Sequence, residues 1–163
     1  MRPFSVSTVV DVPRERVFEY LSDIANHTEF AGNHLQDFRL ERENSSGVGA
    51  AARYRIAFPL GRAWAESVIA ELDPPHLVRL EGQMGRLGRI KTEAAYRLTQ
   101  AGHDMTRVEY TFAARPGSPA DRIKDLLGFR LWLRAKSRTG LQRLARILEE
   151  GRGSTHAATV AAG

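Results

Sequence analysis

Cysteine is absent from this 163-residue chain. That excludes disulfide scaffolds, thiolate zinc sites and cysteine nucleophiles, and leaves the redox compartment undecided. Long apolar runs are missing too: nothing in the sequence approaches the roughly 20 residues that span a bilayer, so no integral membrane segment is expected. Residues Met1 to Ser7 hold no apolar stretch of signal-peptide length, which makes a cytoplasmic location the default expectation. The sequence has no H-E-x-x-H pattern, no dinucleotide-binding glycine fingerprint and no Ser-His-Asp order with supporting context, so neither a metal nor a cofactor is expected. Lysine is scarce: Lys91, Lys124 and Lys136 are the only ones, and the remaining basic residues are arginines. What is present is ordinary. Hydrophobic residues at 42% and charged residues at 26% rule out a mainly disordered chain, and the length suits one domain. The net charge of +5 is concentrated near the end, where Pro119 to Glu150 carries eight basic and four acidic residues. Such a segment can attract phosphate or anionic lipid, but reads first as a solvated helix face.

Residue periodicity sets out the elements. Phe4 to Val10 reads as a strand, ended by Asp11-Val12-Pro13. Pro13 opens a helix to about Ser22, and Asp23 caps a second short helix over Ile24 to Phe30. Six strands follow: Leu35 to Arg42, Ala50 to Phe58, Trp64 to Leu72, Leu77 to Gln83, Ile90 to Leu98 and Thr106 to Ala114. Their connections are short and rich in Gly, Pro, Asn and Asp, which predicts an antiparallel meander. Each strand has one apolar and one charged face, so something must cover the apolar side. The last helix does so. It starts at Ser118-Pro119-Ala120-Asp121 and continues through Ile123, Leu126, Leu127, Leu131 and Leu133 to Leu141, Leu144, Ala145 and Leu148. Gly140 is expected to kink it. Residues 151–163 read as a structureless tail, which leaves 1–150 as a single domain.

Strand, two short helices, six antiparallel strands and a long C-terminal helix resemble the α+β helix-grip fold. The residues that carry the likeness are Val10 to Asp23 (VDVPRERVFEYLSD), Asn26, Phe30, Gly47-Val48-Gly49-Ala50 and Glu71-Leu72-Asp73-Pro74-Pro75-His76. On these the chain is similar to the SRPBCC or START-like superfamily, in the polyketide cyclase/dehydrase and lipid-transport branch, over about residues 3–150. The resemblance implies a curved antiparallel sheet of about seven strands wrapped around the C-terminal helix, with a cavity between them. It also implies a hydrophobic or amphipathic small molecule as ligand: a lipid, polyketide, quinone or similar compound. Some members cyclise or dehydrate bound polyketides, and fold alone does not settle which role applies.

The expected ligand-contacting residues are Phe30, Phe38, Tyr54, Ile56, Trp64, Thr92, Tyr96, Tyr110, Phe112, Phe129 and Leu133. Phe30 is also a portal candidate, and Phe58, Val68, Val108 and Trp132 are placed beside the group. Aromatic walls with a few hydroxyls suit a flat apolar ligand carrying one or two polar groups. Glu66 shares parity with Trp64; pointing inward, it would be a carboxylate in an apolar cavity, whereas a one-residue register slip would put it in solvent. Glu66, Tyr96 and Tyr110, with Tyr54, are therefore the catalytic candidates of an enzyme reading. His27, Glu29 and His34 read as solvated loop residues rather than metal ligands, and Gly82, Gly85 and Gly88 as a hairpin rather than a phosphate loop. Carriage of a hydrophobic small molecule has the fewest requirements. The alternative is a cyclase/dehydrase-type enzyme using a cavity carboxylate and tyrosines as acid/base groups. A basic helix without aromatic platforms argues against nucleic acid as a partner, and a homodimer stays open.

Overall fold

The structure is a computed structural model and describes residues 2–59, 61–117, 119 and 128–161, with side chains up to Gly151. Strand β1 (Phe4–Val10) leads into helix α1 (Arg14–Leu21), a 3-10 turn (Ile24–Asn26) and helix α2 (His27–Ala31). Asp23 caps this second unit as its position predicts, accepting a hydrogen bond from Ala25 N. Strands β2 (Leu35–Leu40), β3 (Ala51–Phe58), β4 (Gly61–Asp73), β5 (Leu77–Met84), β6 (Ile90–Gly102) and β7 (Met105–Arg115) follow, then helix α3 (Arg130–Ala161). The seven strands form one antiparallel sheet in the order β1-β7-β6-β5-β4-β3-β2. The six-strand meander is therefore closed on its far side by β1, which pairs with β7 from Phe4↔Phe112 to Val10↔Thr106. The architecture is the curved-sheet helix-grip fold.

Helix α3 packs on β1 and α2. Its buried stripe is Leu133, Leu141, Leu144, Ala145 and Leu148, while Leu131 points outward at 64% exposure. Gly140 does not break the helix. It lies against α2, where a Cβ would sit 3.3 Å from the Phe30 carbonyl oxygen, so the missing side chain permits a close crossing. The helix runs on from Gly151 to Ala161, where the sequence reading places a structureless tail; alanines at 157, 158 and 161 favour that continuation. The expected Ser118 cap and Ile123, Leu126 and Leu127 lie outside the described residues.

The main core joins β1, α1, α2, the sheet and α3 around Val10, Leu21, Ile24, Ile69, Val108 and Leu144. A smaller cluster of Ile56, Ala65 and Met84 sits at one end of the sheet, backed by Phe58, Phe129 and Trp132. One buried polar group ties β7 to the turn after β1: Thr106, fully buried, donates from Oγ1 to the Val12 carbonyl at 2.7 Å. Thr106→Val keeps the shape and removes the donor. It is expected to cost about 1–3 kcal/mol, read as an earlier urea midpoint with an unchanged slope. Thr106→Ser, which restores the hydroxyl, should recover part of the loss.

Candidate functional site

Between the concave face of the sheet and α3 lies a cavity of about 130 Å³. Its floor comes from inward positions of the strands: Tyr54 and Ile56 on β3, Ala65 and Ser67 on β4, Leu80 and Met84 on β5, Thr92, Ala94 and Tyr96 on β6, Tyr110 and Phe112 on β7. Phe38 joins them through a bulge. Between Gln36 and Arg39 the β2–β3 register shifts, Asp37 takes a positive φ of 52°, and the Phe38 ring stacks on Tyr54 at 6.0 Å. From the helices come Ile24, His27 and Phe30 on one side, and Leu133, Lys136, Ser137, Gly140 and Leu141 on the other. The spacing 133, 136, 137, 140, 141 is one face of a helix.

Three phenols dominate the polar chemistry. Tyr96 and Tyr110 are cross-strand partners with rings 4.9 Å apart. Tyr54 Oη shares a hydrogen bond with Ser67 Oγ at 2.7 Å. Burial pushes all three phenols up from their ordinary value, and for Tyr96 and Tyr110 the neighbouring phenols push further, so each stays protonated near neutrality. The Tyr96 and Tyr110 hydroxyls carry no hydrogen bond to another of the described residues, so both remain able to meet a polar atom in the cavity.

His27 is a buried group, not the solvated loop residue its neighbourhood suggests. It is 8% exposed, its ring lies 5.7 Å from Tyr96, and its Nε2 bonds the Leu21 carbonyl at 2.8 Å. A carbonyl accepts, so Nε2 carries the proton and Nδ1 does not; burial holds the ring neutral by pushing its pKa down. His34 lies at the rim, edge-on to Trp132 at 5.8 Å. Burial, followed by the charges of Lys136 and Arg143, lowers its pKa to about 4. Glu29 turns away and accepts a hydrogen bond from Tyr20 on the surface. The three residues do not converge, and no cluster of three or more potential metal ligands occurs among the described residues.

Three sequence-predicted residues lie elsewhere. Trp64 and Glu66 are on the convex face. Phe58 pairs with Gly61, so an inward even-numbered position on β3 is matched by an odd-numbered one on β4: Tyr54 opposes Ala65, while Arg55 opposes Trp64 and Arg53 opposes Glu66. Trp64 is 40% exposed with the Arg53 and Arg55 guanidinium groups 4.9 and 4.7 Å from its ring. Glu66 accepts from Gln83 Nε2 at 2.7 Å and faces Arg53. Val68 shares this outward parity. Phe129 belongs to the smaller cluster, with Phe58 at 5.4 Å and Trp132 at 5.8 Å, and does not line the cavity. Phe30 does line it but is 4% exposed, so it is an inner wall and not a portal.

The family model for polyketide cyclase / dehydrase and lipid transport matches residues 1–149. The chain belongs to that family. No functionally curated protein matches it. Solved structures share the fold at low identity. A Thermus thermophilus protein is 14% identical with a TM-score of 0.70, the alignment covering 92% of this chain and 99% of the other. A conserved protein from Geobacillus kaustophilus is 18% identical with a TM-score of 0.66, covering 91% and 96%. The di-domain ARO/CYC protein BexL from the BE-7585A biosynthetic pathway is 16% identical with a TM-score of 0.64, covering 90% of this chain and 46% of BexL. Identities this low establish fold alone.

Sequence reasoning missed several lining residues of this polyketide cyclase/dehydrase and lipid transport family member: His27, His34, Ser67, Lys136 and Ser137. A signal was available for four of them. Lys136 and Ser137 share the helix face of Leu133 and Leu141. Ile24, His27 and Phe30 are spaced by three, which puts His27 on the apolar face of a short helix. Ser67 follows once the pairing of Phe58 with Gly61 is allowed to set the parity of β4.

Proposed function

We propose that the chain binds and carries a hydrophobic or amphipathic small molecule in the cavity between sheet and α3. The observation that supports it most is the lining: aromatic and aliphatic walls carrying protonated phenols at Tyr54, Tyr96 and Tyr110, and no carboxylate aimed inward from Glu66. Phenols held protonated donate hydrogen bonds and make poor bases at neutral pH. A cyclase/dehydrase reaction run on them alone would lack the acid/base pair that the enzyme reading drew from Glu66. A cavity of about 130 Å³ also bounds the guest. It matches one aromatic ring or a short acyl segment, since cavities near 150 Å³ take up benzene.

Native mass spectrometry of protein from its own host, searched for a co-purified apolar compound, tests the carrier reading. The convex Trp64 supplies a control. Trp64→Ala should leave the affinity for a small aromatic probe within about twofold of the parent, because a change under about 0.4 kcal/mol is expected for a residue outside the site. A tenfold loss on Trp64→Ala would mean that the ligand sits on the other side of the sheet.

A further inference from the structure

On the convex face of the sheet four arginines are matched with carboxylates. Arg53 faces Glu66, Arg55 faces Asp37, Arg79 bonds Glu71 and Glu81, and Arg115 bonds Glu93. Lys136 lines the cavity rim from α3 while remaining exposed, and Arg143 lies two turns further along the same helix. Arg143 and His34 both pack against Gly32: a Cβ there would meet Arg143 Nη1 at 2.4 Å and His34 Nδ1 at 3.8 Å. No carboxylate among the described residues forms an ion pair with Lys136 or Arg143. Glu81 also borders the cavity, but its carboxylate is bonded to Arg79 at 2.7 Å.

We infer that the guest is a monoanionic amphiphile, with a ring or short chain among Tyr54, Tyr96 and Tyr110 and a carboxylate left at the rim beside Lys136, Arg143 and His34. The inference rests on the cavity being the binding site and adds the chemical class of the ligand. Its physical basis is the separation of the two environments. The enclosed part is apolar with neutral hydroxyl donors, so a charged head placed there would lose its hydration. The rim offers an ammonium and a guanidinium that no carboxylate among the described residues pairs with. His34 beside them is neutral above pH 5, so it adds a hydrogen-bonding ring and no charge. Ser137, on the same helix face as Lys136, supplies a further hydroxyl at that level. A ligand whose anionic end stays at the mouth satisfies both environments at once.

The test is a calorimetric titration with 4-phenylbutanoate and with its uncharged counterpart 4-phenylbutanamide, at low salt and near neutral pH. The parent protein should bind the acid about fivefold more tightly than the amide, as expected for partly exposed charge pairs. Lys136→Met, at an exposed helix position, should bring the acid down to the level of the amide and leave the amide unchanged. Arg143→Met should act the same way more weakly. Ala94→Phe, which fills the cavity, should remove binding of both probes. Equal binding of acid and amide, both lost in Ala94→Phe and both unmoved by Lys136→Met, would overturn the anionic class while the cavity reading stands. Binding of both probes that survives Ala94→Phe would overturn the cavity reading, and the inference with it.

Discussion

Ala94→Phe is expected to leave a folded protein that no longer takes up small aromatic probes, with affinity reduced by at least about a hundredfold, about 2.8 kcal/mol. Ala94 sits in the middle of the concave face, paired with Leu80 on β5 and Phe112 on β7, with Thr92 and Tyr96 two residues away on the same face. All five line the cavity. The volume available is about 130 Å³, and a benzene-sized group fills a space of that order. A phenyl ring grown from position 94 therefore takes the place of the guest. Phenylalanine suits a strand, displaces no buried polar atom, and fills a void in place of crowding a packed region. The melting temperature should thus hold or rise, which separates blocked binding from unfolding. Loss of binding together with a collapse in thermal stability would show that the space is not free.

The order of elements was legible because each strand and helix carries its own period, and short Gly, Pro, Asn and Asp connections leave few topologies. The meander order and α3 laid across the concave face follow from that pattern and from the family resemblance, while the docking of β1 on β7 is seen only in the structure. Side-chain direction was less legible. Along the first half of β4 the residues that face inward are small, Ala63, Ala65 and Ser67, while Trp64 faces out between two arginines. Hydrophobicity alone therefore points to the wrong face, and the two-residue turn between Phe58 and Gly61 is the stronger constraint. The small inward residues are also what leaves space: large side chains on β4 would occupy the room that Tyr54 and Tyr110 now border. His27 was missed for a related reason. A polar residue is read as exposed unless a partner is visible, and its partner is the Leu21 carbonyl, a backbone atom that composition does not reveal. Lys136 shares the helix face of Leu133 and Leu141, so its position was readable from spacing, but its meaning was not, since that comes from His34 and Arg143 beside it in space.

Gly82 sits where the sheet leaves no room for a side chain, and filling that position should have the largest effect on stability. Gly82 lies on β5 between Ser67 of β4 and Thr92 of β6. A Cβ at that position would stand 2.2 Å from the Glu66 carbonyl oxygen and 2.9 Å from Thr92 Oγ1. The first contact is with backbone of the adjacent strand, which no side-chain rotamer can relieve. Gly82→Ala must therefore push β4 and β5 apart locally, at a cost near the upper end of overpacking, about 3 kcal/mol. For a chain of this size that corresponds to a melting temperature lower by roughly 6–12 °C. Gly151, with nothing within 4 Å of its Cβ position, is the matched control. Its replacement by alanine in a helix should be neutral or stabilising by up to about 1 kcal/mol. The two flanking residues, Ser67 and Thr92, both line the cavity, and Ser67 holds the Tyr54 hydroxyl. The destabilised variant should therefore also bind apolar probes more weakly at temperatures where it is still folded. Scanning calorimetry of the two alanine variants decides the matter. If Gly82→Ala melts within about 1 °C of the parent, well inside the shift expected for even 1 kcal/mol, the strands have slack at this point and the predicted clash is relieved without cost.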